Sequence, residues 1–209
     1  MIYPYSFAYV ENAIPKLVCK RIIEHSKFYN AQSAQVTSWK QPKKYTRQTD
    51  ENWRKCERKS FSKKWIYDAI NPIVDNVNRS HWNFNLDFGE NVEYLKYGKE
   101  GHFDWHVDQY LYPWNESTTK NTKLYNKIRK ISISIQLTDG KKYEGGNLQI
   151  EHPTEKKGNK SLIFTLDQPE HRSIGSMIIF PSFLRHKVTK ITKGTREALV
   201  VWYIGDRYK

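Results

Sequence analysis

Lys130-Ile-Ser-Ile-Ser-Ile-Gln-Leu-Thr138 alternates polar and apolar residues without a break. Successive side chains of a strand point to opposite faces. Ile131, Ile133, Ile135 and Leu137 therefore share one face, and Ser132, Ser134, Gln136 and Thr138 the other. The spacing predicts a strand with one buried and one polar face. Short β-rich runs recur on both sides of it: Trp82–Phe88, Val92–Tyr97, Phe103–Val107, Asn147–Glu151, Ser161–Leu166, Ser176–Phe180, Lys187–Ile191 and Glu197–Ile204. Gly145-Gly146 and Gly175 punctuate the series as turns. Such evenly spaced strands predict an all-β barrel or sandwich, with a jelly roll as the favoured form.

Upstream of Trp82 the period changes. Leu17, Val18, Ile22, Ile23 and Phe28 fall at helical spacing between Ile14 and Tyr29, with Pro15 where a first turn tolerates it. A second amphipathic helix is predicted from near Ser62, carrying Trp65, Ile66, Ile70, Ile73, Val74 and Val77, with Pro72 as a kink. Between the helices, Trp39 to Lys64 holds ten basic and three acidic residues interleaved with Trp39, Tyr45, Trp53 and Phe61. It shows no clean period and reads as a long loop, suited to a lid or a substrate-contacting arm. The architecture expected is α+β: one domain over 1–209, with helical support over 1–81 and a jelly-roll core over 82–206.

A chain of 209 residues with 14% aromatic content is too long and too aromatic to stay disordered. Its formal charge of +13 points to an acidic partner, either an acidic polypeptide or nucleic acid. A solvated lysine-rich surface accounts for part of the excess. Cys19 and Cys56, the only cysteines, have neither metal-binding nor redox spacing, which excludes a disulfide framework and a zinc knuckle. The first residues lack a basic stretch followed by an apolar one, and no run of apolar residues is long enough to span a bilayer. A cytoplasmic location with no membrane partner is expected, and the sequon at Asn115 is then without consequence. The oligomeric state, monomer or dimer, is left open.

Chemistry enters at His106-Val107-Asp108. Residues two apart on a strand share a face, so the imidazole and carboxylate can converge on one ion. Two imidazoles and one carboxylate bind Fe(II) while leaving open positions for reactants. Of the seven histidines, His186 is the best third ligand, because the turn Pro181-Ser182-Phe183 can place it at a barrel mouth. His25 and His81 belong to helices, and His152 and His171 to loops. His102 precedes His106 by four strand residues and lies too far away. A lone His-x-Asp occurs readily by chance. What changes its weight is Arg196, ten residues beyond His186. A hairpin around Lys193-Gly194 would return Arg196 beside the metal strand, and a guanidinium suits bidentate carboxylate recognition.

On these residues the chain resembles the 2-oxoglutarate/Fe(II) dioxygenases of the prolyl 4-hydroxylase superfamily, near its small microbial and viral hydroxylases. The resemblance runs from Val92 to Asp206. It rests on Tyr94-Leu-Lys-Tyr97-Gly98, His106-Val-Asp108, Gly145-Gly-Asn-Leu148, Gly175-Ser-Met-Ile-Ile-Phe-Pro181, His186 with Arg196, and Leu199-Val-Val-Trp202. It implies a double-stranded β-helix (a cupin-like jelly roll) with Fe(II) on His106, Asp108 and His186. It also implies 2-oxoglutarate held by Arg196 and Tyr97, O2 as the second cosubstrate, and ascorbate as reductant. Trp202 is expected to pack in the core. Collagen-type members usually have Lys where Arg196 stands, which points to the oxygen-sensing and microbial branches. Those branches often place a Tyr where Gln136 stands, so Gln136 is a cosubstrate-pocket candidate of altered role. The long connection Gln109–Lys130, with Tyr110, Tyr112 and Trp114, is expected to form a second lid.

The implied reaction converts 2-oxoglutarate and O2 to succinate and CO2 while hydroxylating an unactivated C–H bond. A prolyl residue of a peptide or protein is the leading substrate. The basic aromatic arm also fits single-stranded nucleic acid, which makes oxidative demethylation a rival. A non-catalytic binding module with a vestigial metal site is the rival from outside enzymology.

Overall fold

The computed structural model describes residues 6–41, 44–116 and 118–208, with side chains omitted at 37–41, 44–47 and 157. In chain order its elements begin with β1 (Ala8–Val10), α1 (Lys16–Ser26), β2 (Gln32–Ser33), β3 (Val36–Gln41), β4 (Lys44–Gln48), β5 (Arg54–Lys55), β6 (Glu57–Phe61) and α2 (Lys64–His81). They continue with β7 (Phe88–Gly89), β8 (Val92–Tyr97), β9 (His102–His106), β10 (Lys127–Gln136), β11 (Tyr143–Gly145) and β12 (Leu148–Lys157). The last are β13 (Lys160–Leu166), β14 (Met177–Pro181), β15 (His186–Val188), β16 (Ile191–Gly194) and β17 (Arg196–Asp206).

Two antiparallel sheets carry the fold. The larger runs β1-β14-β10-β17-β8-β6-β2, with β7 on β17, and the smaller runs β13-β12-β15-β9-β5. The larger sheet is buried on both faces. Ile131, Ile133 and Ile135 of β10, with Met177, Ile179, Leu199 and Val201, pack against Ile22 of α1 and Ile66, Ile70 and Val74 of α2. The opposite face contributes Ile178 and Phe180, which meet Leu148, Ile150 and Val188 of the smaller sheet. Burying one such side chain contributes about 1.5–3 kcal/mol, so the two helices close the outer face while the small sheet closes the inner one. The result is a jelly-roll, double-stranded β-helix core with two supporting helices.

Ile66, Ile70, Val74 and Val77 line the buried face of α2, while Pro72 lies on its exposed side. Among the described residues no helix is long and apolar enough to cross a membrane.

Several elements differ from the sequence reading. The Trp39–Lys64 arm is not a loop: it holds most of the β3–β4 hairpin, then β5 at the edge of the small sheet and β6 beside β8 in the large one. Residues 42 and 43 of the arm lie outside the described residues, as do the side chains of Trp39 and Tyr45. The 1–81 region thus adds strands as well as helices. Trp82–Phe88 does not form the expected strand. Asn83 adopts a left-handed φ of 50°, and the Asn78 side chain bonds both backbone groups of Phe84, at 2.8 and 2.9 Å. Lys187–Ile191 is split between β15 and β16, which pair with different strands. Lys193-Gly194 does not turn a hairpin onto β17, because β16 pairs with β11. At Gly194 (φ 74°) a Cβ would stand 2.1 Å from the Lys142 carbonyl oxygen. Glycine is needed there to let β16 close on β11 before the chain passes into the large sheet.

Candidate active site

Strands β9 and β15 are antiparallel neighbours in the small sheet, with His186 paired opposite His106. The backbone N–H groups of Asp108 and Gln109 both donate to the Ser182 carbonyl, at 3.0 and 2.9 Å, tying the end of β9 to the turn before β15. Asp108 thereby stands between the two imidazoles. Its Oδ1 lies 3.7 Å from His106 Nε2 and its Oδ2 3.3 Å from His186 Nε2. One donor atom from each of the three side chains falls within 4.8 Å of the others.

The protonation pattern explains why this cluster suits a cation. His106 Nδ1 faces the Asp104 carbonyl at 2.7 Å and His186 Nδ1 the Leu184 carbonyl at 2.9 Å. A carbonyl only accepts, so each Nδ1 carries a hydrogen and each Nε2 is turned toward the Asp108 carboxylate. Burial, and then the His186 charge, push His106 well below the ordinary imidazole value, which keeps that ring neutral. Burial pushes the Asp108 carboxyl up. The charge and hydrogen bond of His186 outweigh it, with help from His106 and Arg129, and hold the carboxyl well below the usual range. The two imidazoles and the carboxylate thus converge on one point of a buried site. Two imidazoles and one carboxylate are a donor set for Fe(II).

Ser132 supports the carboxylate: its hydroxyl donates to Asp108 Oδ2 at 2.7 Å and lies 2.9 Å from Ser182 Oγ. Ser132 belongs to the polar register of β10, which the sequence reading turned toward one polar face. That face is instead the barrel interior, with Ser132 and Gln136 both buried. Neither serine was singled out from sequence, although the Ser-Ser-Gln alternation was the available signal.

Arg196 opens β17 and pairs with Tyr97 of β8. Its buried guanidinium donates through Nε to Gln136 Oε1 at 3.2 Å and through Nη2 to Ser134 Oγ at 3.4 Å. Among the described residues it has only such neutral acceptors, which leaves a buried cation uncompensated. Tyr97 is fully buried, with its ring 5.5 Å from the Arg196 guanidinium carbon. Burial, and then Cys56 beside its hydroxyl, raise its pKa against the pull of Arg54 and Arg196, so Tyr97 is a donor. Gln136 also donates to the Tyr143 hydroxyl at 2.6 Å. A cavity of only about 10 Å³ borders Arg196 and Gln136. That is room for about one water.

The other face of the candidate site opens into a cleft of about 850 Å³ lined by His106, Asp108, Arg54, Arg129 and Trp202 among others. Arg129 forms a fork with Glu90 (2.6 and 3.0 Å) and lies 3.7 Å over the Trp202 ring. Trp202 thus walls the cleft while remaining buried, and Tyr110 of the 109–126 connection packs on Arg129 at 5.0 Å. Sequence reasoning missed Arg129, whose aromatic partners are distant in the chain.

The remaining histidines stand apart from this cluster. His102 bonds the carbonyls of Glu100 and Asn52, at 2.8 and 3.0 Å. His25 packs among Phe28, Tyr29, Phe61 and Trp65. His152 lies in β12 rather than in a loop, and His171 sits in a short 3-10 turn.

A jelly roll carrying two histidines and a carboxylate at its mouth defines the class of non-haem iron oxygenases. The model described as "2OG-Fe(II) oxygenase superfamily" matches residues 92–204, more than half of the chain, and the chain belongs to that superfamily. Its cofactors are Fe(II), 2-oxoglutarate and O2. A PKHD-type hydroxylase of Synechococcus sp. (strain CC9311) is 30% identical over 104 residues, which cover 50% of this chain but only 37% of that relative. Among solved structures, a Pseudomonas putida prolyl-4-hydroxylase superposes with a TM-score of 0.67 at 12% identity, covering 96% of this chain and 93% of that one. A Trichoplax adhaerens prolyl hydroxylase in complex with a hypoxia inducible factor oxygen degradation domain peptide fragment gives 0.66 at 12% identity, over 96% and 84%. At such identities the superpositions speak for the fold. The chain is thus a member of the 2OG-Fe(II) oxygenase superfamily with the fold of these solved structures.

Proposed function

We propose that this chain hydroxylates a prolyl residue of a peptide or protein, with Fe(II) held by His106, Asp108 and His186 and the distal carboxylate of 2-oxoglutarate held by Arg196. Iron and 2-oxoglutarate, when bound, would together activate O2, one oxygen atom going to succinate as CO2 leaves and the other to the unactivated C–H bond. The protein's own groups bind and orient. Asp108 stays ionised, and Ser132 fixes the direction in which its oxygens face. The carbonyls of Asp104 and Leu184 hold the two imidazoles with Nε2 inward. Arg196 neutralises the cosubstrate's far end, and Tyr97, kept protonated, donates a hydrogen bond to it. Gln136 lines the same pocket.

The observation that carries this reading is a pairing: two imidazoles and a carboxylate whose donor atoms lie within 4.8 Å of one another, and a buried guanidinium with only neutral acceptors among the described residues. The relatives named as prolyl hydroxylases, one of them bound to a peptide, support a peptide substrate. So does the cleft, which is open enough for an extended chain. Incubating the protein with Fe(II), ascorbate, 2-oxoglutarate and proline-containing peptides, then reading the peptides by tandem mass spectrometry, tests it. A gain of one oxygen localised to proline supports the reading. Oxidation of a different side chain, or formaldehyde release from methylated oligonucleotides alone, overturns it.

A further inference from the structure

Arg54 of β5 and Arg58 of β6 stand in the wall of the large cleft, together with Glu93 of β8. Arg58 Nη1 donates to Glu93 Oε1 at 2.6 Å, whereas Arg54 Nη2 reaches Oε2 only at 3.7 Å, beyond hydrogen-bond range. Arg54 also donates weakly to the Gln35 carbonyl at 3.3 Å, and Arg58 to Gln32 Oε1 at 3.4 Å. Among the described residues neither Nε meets an oxygen or nitrogen acceptor. Two guanidinium groups share one carboxylate, so this wall carries an excess positive charge, and the Arg54 side chain is only 9% exposed. Recessed charge of that kind is costly unless an anion meets it.

The position of the pair gives this charge a use. Arg54 lies 4.4 Å over the Phe103 ring, and Phe103 stacks on the His106 imidazole at 3.4 Å and 13°. One aromatic ring therefore separates the guanidinium from a proposed iron ligand. Apolar side chains are exposed among the polar ones around it. Of the eight large hydrophobic side chains exposed among the described residues, four (Trp53, Phe88, Val107 and Leu111) line this same cleft.

We propose that Arg54 and Arg58 form a carboxylate-reading subsite, so that the preferred peptide carries an Asp or Glu side chain close to the hydroxylated residue. The proposal deepens the peptide-hydroxylase reading and rests on it. A planar guanidinium fork matches a carboxylate, and the exposed apolar side chains suit the flanking side chains of a peptide. A nucleic acid strand needs a continuous basic track. This cleft interrupts any such track with Glu90, Glu93 and Asp108.

The test is fluorescence anisotropy on the protein loaded with Fe(II) and 2-oxoglutarate under anaerobic conditions. The probes are labelled proline peptides with Glu at successive positions beside the proline, their Gln and Lys counterparts, and a labelled single-stranded oligonucleotide. At the best position the Glu peptide binds about tenfold more tightly than the Gln peptide, the worth of one charge-assisted contact. Arg58→Gln erases that preference and Arg58→Lys keeps part of it. The proposal is overturned if Glu and Gln peptides bind alike, if Arg58→Gln leaves the preference intact, if no peptide binds, or if the oligonucleotide is the probe whose binding depends on Arg58. Failure of the hydroxylase reading looks different: the charge preference stands while neither succinate nor hydroxylated peptide forms.

Discussion

Ser132 has no chemistry of its own in the proposed reaction, yet its hydroxyl fixes the oxygen of Asp108 that faces His186. Outer partners of metal ligands typically contribute a factor of about 10–100 in metal affinity. Ser132→Ala should therefore weaken Fe(II) or Mn(II) binding by about that factor in calorimetry, whereas the exposed Ser80→Ala should leave it unchanged; equal affinities would remove Ser132 from the site. Arg196 is tested by conservative replacement. Lysine keeps the charge but loses the fork, so Arg196→Lys should raise the KM for 2-oxoglutarate more than it lowers kcat, and Arg196→Met should raise it further. A KM unmoved in both would place the cosubstrate elsewhere. That His106, Asp108 and His186 come together was legible, because ligand chemistry restricts residue type and the strand period restricts spacing. Ser132, Ser182 and Arg129 were not, because serine and arginine are common and only the register between β10, β14 and β17 brings them to Asp108.

At the scale of elements, β10 organises the molecule: its isoleucines hold the helices and its serines and glutamine face the barrel interior. Ile133 is fully buried. Ile133→Ala should cost about 2–5 kcal/mol in urea unfolding, and a loss below about 1 kcal/mol would contradict the packing described for α2 on the large sheet. Gly175, at φ 85°, has the Ile14 carbonyl oxygen 2.0 Å from where a Cβ would stand. Gly175→Ala should therefore destabilise by more than about 1 kcal/mol by the same measurement. The sequence revealed strands rich in apolar and aromatic residues, such as β8, whose bounds match those expected. It concealed β5 and β6, whose Arg54, Lys55, Arg58 and Lys59 carry no apolar period. Those strands are held by backbone pairing to β9 and β8 and by Glu93, and backbone pairing leaves no mark on composition. Trp82 and Phe84 had strand-like composition, but a left-handed Asn83 delivers them to the core from a turn.

For the whole molecule, the cluster of His106, Asp108 and His186 would link metal binding to folding. A ligand bound only by the native state stabilises it by about 2.7 kcal/mol at a hundred times its Kd, which for a chain of this size raises Tm by about 5–10 °C. Mn(II) should produce that shift in wild-type protein and lose most of it in His186→Ala; an equal shift in both would assign the effect to surface sites. The charge of +13 gives no fold information, but it bears on the partner through Arg54 and Arg58, whose recessed positions distinguish a subsite from a merely solvated surface. His106, Asp108 and His186 are proposed to hold the iron that drives 2-oxoglutarate turnover. Succinate release from 2-oxoglutarate, Fe(II) and O2, compared between wild type and Asp108→Ala, tests it most directly. Wild type should release succinate, and the variant should fall by more than about a hundredfold, beyond what loss of an outer partner costs. Wild-type protein that releases none, or an Asp108→Ala variant that matches it, would contradict the account.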